Sequence, residues 1–288
     1  MKKRNPLSRL SSNQVWERFF DNKAAVCGLV IMSLIVIMAI FAGNIFDYEN
    51  QVIKQNIAIR LQKPSAEHWF GTDDFGRDIL ARVVYGSRAS LSIAFSSVVI
   101  SVLGGVLLGA LAGFYGGITE GIIMRITDIF MAIPQMLMSI MMVAVFGSSR
   151  ITIAFALGIA SIPKYIRITR GAVLTVRQQE YIESARAIGS PNSLTIIRHI
   201  IPNCFSQILV QIPLSVAISI LSVSGLSYLG MGIPAPMPEW GSMLSGSRAY
   251  LRGHSYMAIF PGLAIMITIL ALNLMGDGLR DATDPKLK

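Results

Sequence analysis

Residues 91–115 run for twenty-five positions without a charged side chain. About 20 apolar residues in a helix are enough to cross a hydrocarbon core roughly 30 Å thick, so this stretch predicts a spanning helix. Residues 24–43 make a second uncharged run of twenty. Further apolar runs at 129–146, from 151 past Pro163, 205–230 and 256–275 bring the expected number of spans to six. The composition agrees: 53% of the 288 residues are hydrophobic and 14% charged, where a soluble chain carries about 25% charged residues. The expected fold is therefore an all-α integral membrane protein with six transmembrane helices.

The net charge of +9 matters less than where it falls. A basic excess in such a chain marks loops on the cytoplasmic face of a bilayer before it suggests nucleic acid. Residues 164–203 hold Lys164, Arg167, Arg170, Arg177, Arg186 and Arg198 against Glu180 and Glu183. Counting spans from a basic, cytoplasmic N-terminal tail (1–23) puts the same loop inside, and the tail at 278–288 inside as well. The first run follows basic residues as a signal peptide would. It exceeds the 7–15 residues of a signal core and no small-x-small cleavage site follows, so it is expected to stay as span one.

Residues 44–90 are expected outside, with a stripe of Ile79, Leu80, Val83 and Val84 marking an interfacial helix. Asp73, Asp74 and Asp78 alternate with Arg77 and Arg82, which favours surface ion pairs over a cation site. Gly105, Gly109 and Gly113 form a ladder suited to close helix contact. Arg125 and Asp128 are one turn apart and predict a pair, Pro134 predicts a kink, and the methionines 136, 138, 141 and 142 predict packing or a compliant lining. Beyond Pro163, Lys164, Arg167 and Arg170 are expected to snorkel to the headgroups. Trp240, after a proline-rich turn, suits the membrane interface.

The most informative polar stretch is 180–202. Tyr181, Ile182, Ala185 and Ile188 share a helical face, Gly189 suits a left-handed helix end, and Ser190-Pro191 opens a second helix. Leu194, Ile197 and Ile201 give that helix an apolar stripe, and Pro202 is expected to stop it. Two short helices at a corner are marginal alone and need a surface to pack on.

Glu183-Ser184-Ala185, Gly189 and Ile201-Pro202 resemble the cytoplasmic signature of permease subunits in binding-protein-dependent ABC importers: Glu-Ala-Ala, three residues, Gly, nine residues, Ile, any residue, Leu-Pro. Here Ser184 replaces the middle alanine, His199 the isoleucine and Ile201 the leucine. The stretch 68–82, the turn Pro238-Glu239-Trp240-Gly241 and the C-terminal tail resemble the dipeptide/oligopeptide branch. The resemblance implies a type-1 importer core of five helices within residues 91–277, with span one wrapped outside. It implies that Glu183, Ser184, Ala185, Arg186, Gly189, Ile201 and Pro202 couple the chain to a cytoplasmic ATPase. It also implies a second permease subunit, an external solute-binding protein, and a home in a bacterial or archaeal cytoplasmic membrane. Relatives of this branch carry dipeptides, oligopeptides, glutathione, nickel complexes or opines.

No Gly-Lys pair occurs in the chain, so the nucleotide-cradling loop Gly-x4-Gly-Lys-Ser/Thr is missing and the expectation is a non-catalytic subunit without cofactor. The runs hold almost no carboxylates, which disfavours a proton- or sodium-driven carrier. Gly225-Leu-Ser-Tyr-Leu-Gly230 with His254 raises an intramembrane serine protease. That reading fails for want of a third residue to orient the base.

Overall fold

Small residues decide how the apolar helices meet. In a computed structural model the chain is described over residues 12–283, with side chains from residue 15 onward and without that of Arg186. The outer parts of both expected tails, 1–11 and 284–288, lie outside the described residues. The longest helix, α3 (Ile79–Tyr115), lies along α6 (Arg150–Val176) on the predicted glycine ladder. A Cβ on Gly105 would fall 2.2 Å from Tyr165 Cβ, one on Gly109 2.7 Å from the Ile166 carbonyl, and one on Gly113 2.8 Å from Val173 Cβ. Only glycine lets the two backbones come that close, and close approach is what yields dispersion contact where apolar side chains gain nothing by leaving lipid.

The remaining spans assemble on that pair. α10 (Gln211–Tyr228) packs against α3 and against α12 (Tyr256–Thr283), and α2 (Lys23–Ile45) lies against α12. Met32, Leu91, Ala94, Val216, Ile220 and Ala271 share one core. The other side of α2, with Leu34, Ile37 and Phe41, is exposed, as a lipid-facing outer span requires. A short α1 (Ser12–Asp21) lies on α12 through Phe19. Five helices are long and apolar enough to cross a membrane. The sixth candidate is a pair, α4 (Gly117–Ala132) and α5 (Gln135–Phe146), bent by 85° at Ile133-Pro134. Proline cannot continue the backbone ladder, and here the break is a corner and not the expected kink. Among the described residues no β-strand occurs.

Several local expectations change. Residues 77–86 form no separate interfacial helix. From Ile79 they are the opening turns of α3, with Ile79, Val83 and Val84 buried. The carboxylates before it are not surface pairs either. Asp73 binds Arg77 Nε at 2.7 Å and Arg82 Nε at 3.4 Å, and all three side chains are buried. Asp78 pairs with His68 Nδ1 at 2.7 Å. Trp240 does not sit at the interface. It is 1% exposed in the core, its indole N–H donating to the Val83 carbonyl at 2.9 Å. Asp128 pairs with Arg167 and not with Arg125, and Glu120 pairs with Arg170. α4 thus brings a carboxylate to each of these two arginines.

Candidate functional site

The polar stretch after α6 is built on a buried root. Arg177 ends α6 and donates through Nη1 to the Gly113 and Phe114 carbonyls, satisfying two of the acceptors that α3 leaves open at its end. The chain then turns into α7 (Glu180–Ala187). Ile182 is fully buried with Phe114, Tyr165 and Val173 of α3 and α6. Ala185 is buried beside it, so its small size serves packing within this chain. Glu183 and Ser184 are exposed, and Ser184 Oγ donates to the Glu180 carbonyl at 2.9 Å.

The corner follows the chemistry expected of it. Gly189 has φ +79°, and the Ser190 N–H reaches the Ala185 carbonyl at 3.0 Å, the long bond that closes a helix ending in a left-handed residue. Nothing lies within 4 Å of where a Gly189 Cβ would project, so only the backbone demands glycine there. Ser190 does not cap the next helix. α8 (Asn192–Thr195) starts after Pro191, and buried Thr195 Oγ1 lies 3.3 Å from Ser190 Oγ and 3.2 Å from the Pro191 carbonyl, to which it donates.

Pro202 does not stop the second helix. α8 passes through a π-helical turn, Ile196–Ile200, directly into α9 (Ile201–Leu209), and after Val210 the chain continues as α10. The Ile201 N–H bonds back five residues to the Ile196 carbonyl. In an α-helix the Pro202 ring would press on the carbonyl four residues earlier, at Arg198, and its missing N–H would leave that carbonyl open. The π turn widens the backbone directly before Pro202, where that crowding would fall.

The turn also sets which side chains face inward. Ile196, Ile200, Cys204 and Ile208, spaced by four, are buried at the root with Ile182, and Ile201 packs partly against them. Of the expected stripe, Leu194 is 44% and Ile197 66% exposed while Ile201 packs on the root, and Ile188 at the corner is 84% exposed. Asn203 Nδ2 donates to Tyr181 Oη at 3.1 Å, tying α9 to α7. Of the predicted site residues, Glu183, Ser184 and Gly189 lie on the outer elbow, Ala185 and Ile201 at its root, and Pro202 beside the π turn. Ile188 and Ile197 were legible as apolar residues but not as an outward rim. The four-residue series from Ile196 to Ile208 was the signal that separates the two faces.

Comparison with known proteins decides the family. Residues 105–288 match the model of the binding-protein-dependent transport system inner membrane component. The chain belongs to that family. Residues 12–64 match the N-terminal transmembrane domain of oligopeptide transport permease C. The chain is 42% identical to the dipeptide transport system permease protein of Alkalihalophilus pseudofirmus, over 96% of this chain and 90% of that one. It is 43% identical to the glutathione transport system permease protein of Pectobacterium atrosepticum, over 96% and 91%. It is 42% identical to the oligopeptide transport system permease protein of Bacillus subtilis, over 94% and 88%. A solved methionine ABC transporter in inward-facing form shares the fold, with a TM-score of 0.57 at 17% identity over 72% of this chain and 98% of that one. The permease is thus a multi-pass inner-membrane component of an ABC importer, a family that works with an ATPase and a binding protein.

Proposed function

We propose that this permease forms one half of the path by which short peptides enter, and that the elbow from Glu180 to Ile200 is where the ATPase drives it. The observation that carries the reading is the outward rim of Ile188, Leu194 and Ile197 on a root that is already packed. Three large apolar side chains on a polar, basic loop are what a second protein's groove covers. Glu183 and Ser184 border that contact in α7, the resemblance adds Arg186 to them, and Gly189 sets the angle between the two helices. Ala185 and Ile201 seat the elbow on the membrane body, and Pro202 keeps the wide turn beside it.

The basic excess of residues 164–203 supports a cytoplasmic elbow, and with it cytoplasmic termini. A second permease subunit supplies the other wall of the path, and an external binding protein delivers solute near residues 44–90 and 231–255. The relatives named for dipeptides, oligopeptides and the tripeptide glutathione support peptides as the solute class. Ile188→Asp with Ile197→Asp tests the elbow in the full complex in proteoliposomes. The variant is expected to insert normally and lose both uptake and hydrolysis stimulated by loaded binding protein. Uptake close to wild type would remove the elbow from the coupling.

A further inference from the structure

From Pro163 onward α6 and its cap carry four cations, and three of them have a carboxylate or helix-end carbonyls as partners. Arg167 meets Asp128, Arg170 meets Glu120, and Arg177 caps the carbonyls at the end of α3. Lys164 is the exception. Among the described residues no carboxylate pairs with it. Its Nζ donates to Ser215 Oγ at 3.0 Å, a hydroxyl that also accepts from Tyr165 Oη at 2.9 Å, and lies 5.8 Å from the Tyr165 ring centroid. Lys164 stands near the middle of α6, about 20 Å from either end at 1.5 Å per residue. An ammonium without a carboxylate on a helix long enough to span is expensive, and its usual place is a water-filled passage or a partner of opposite charge.

Its surroundings separate it from the lipid face. The uncovered sides of α2 and α4 are apolar, with Leu34, Ile37, Ile118 and Ile122. Around Lys164 hydrogen-bonding groups interleave with the exposed Met136 and Ile218. Gln135 Nε2, at the start of α5, donates to Ser161 Oγ at 2.8 Å, one turn before Lys164, and Ser215 stands across on α10. Three helices therefore bring a lysine, two serines and a glutamine to one strip beside the middle of α6. A strip of hydrogen-bonding groups with a surplus positive charge fits an anionic solute group, to which an ammonium bond is charge-assisted.

We propose that Lys164, with Ser161 and Gln135 beside it, is a transit site for the carboxylate of the solute as it passes through the permease. This rests on the peptide-path reading above. Ser215 holds the ammonium in place when no solute is present, and the solute carboxylate takes the ammonium's remaining N–H groups.

Two measurements on the full complex in proteoliposomes test it. In the first, Lys164→Cys is made together with Cys27→Ala and Cys204→Ala, and a membrane-impermeant anionic thiol reagent is added. Modification whose rate changes with ATP supports the site. No modification in any nucleotide state overturns it, whatever the solute proves to be. In the second, uptake of alanyl-alanine and of its C-terminal amide is compared. Lys164→Met is expected to lower dipeptide uptake at least about tenfold, as loss of a bond to a charged group implies. Hydrolysis stimulated by loaded binding protein should persist, and Lys164→Arg should keep most of the uptake. Equal uptake by Lys164→Met and wild type overturns the proposal. So does loss of the companion subunit from the Lys164→Met complex, which would make Lys164 an intersubunit ion-pair partner. A wild-type complex that imports neither compound refutes the peptide reading instead, and the labelling result then decides alone.

Discussion

The two ends of the permease solve opposite problems. At the end that carries residues 46–78 and Trp240, polar groups are buried and satisfied within the chain. Asp73 lies between Arg77 and Arg82 and also accepts the N–H groups of Phe75 and Arg77, each at 2.9 Å. Glu239 has no exposed surface and caps α11 (Trp240–Ser247), accepting from the Gly241 and Ser242 N–H groups at 2.8 Å. Ser227 of α10 and Ser90 of α3 donate to the same carboxyl at 2.6 and 3.1 Å. One side chain thus joins three helices. At the elbow the pattern is reversed: large apolar residues point away from the chain and the corner glycine has open space around it. At the first end the buried polar groups find their partners within the chain, whereas at the second three large apolar side chains find none.

Substitutions should therefore act on folding at one end and on coupling at the other. The largest effect is expected from Asp73→Ala, which strands two buried guanidinium groups. Breaking a buried pair costs about 3–5 kcal/mol, so the melting temperature in detergent should fall steeply and expression with it. An unchanged melting curve would show that the outer end is not the stable half. Glu239→Ala is next. It removes a cap and leaves two buried hydroxyls without their acceptor, about 2–3 kcal/mol together, while Glu239→Gln retains an acceptor and should lose less. Equal losses in the two variants would assign the effect to charge and not to hydrogen bonding. Gly189→Val is smallest by this measure, since a left-handed residue with a side chain costs roughly 1–2 kcal/mol and nothing nearby clashes. Its melting curve should lie near wild type while uptake is lost. A fall as deep as that of Asp73→Ala would erase the contrast between the ends.

The spans were legible because membrane helices advertise themselves by length and lack of charge, which no tertiary contact overrides. The α3–α6 seam was legible for the same local reason, as three glycines at one spacing admit few uses. The corner at Gly189 followed from local backbone preference. What could not be read was which polar residues find partners across the bundle. The partners of Arg167 and Arg170 were not legible because Asp128 and Glu120 lie about 40 and 50 residues away in the chain. Arg82 and Trp240 looked like surface residues because the groups that bury them come from other elements. In the elbow two apolar series overlap, and a π turn cannot be foreseen from spacing that assumes 3.6 residues per turn. The expected stripe of Leu194, Ile197 and Ile201 was therefore read without the second series, Ile196 and Ile200, that packs on the chain's own body.

The π turn has a mechanical consequence. A wide turn holds one residue more than an α turn, so tightening it would spin everything before it by about 100° and advance it by about 1.5 Å. Pro202 forbids that slack from being taken up, because tightening drives its ring against the Arg198 carbonyl. The elbow is thus keyed to the following helix like a shaft without a clutch. On the coupling reading proposed above, a force on Ile197 would therefore reach α9 as rotation instead of being absorbed in the π turn.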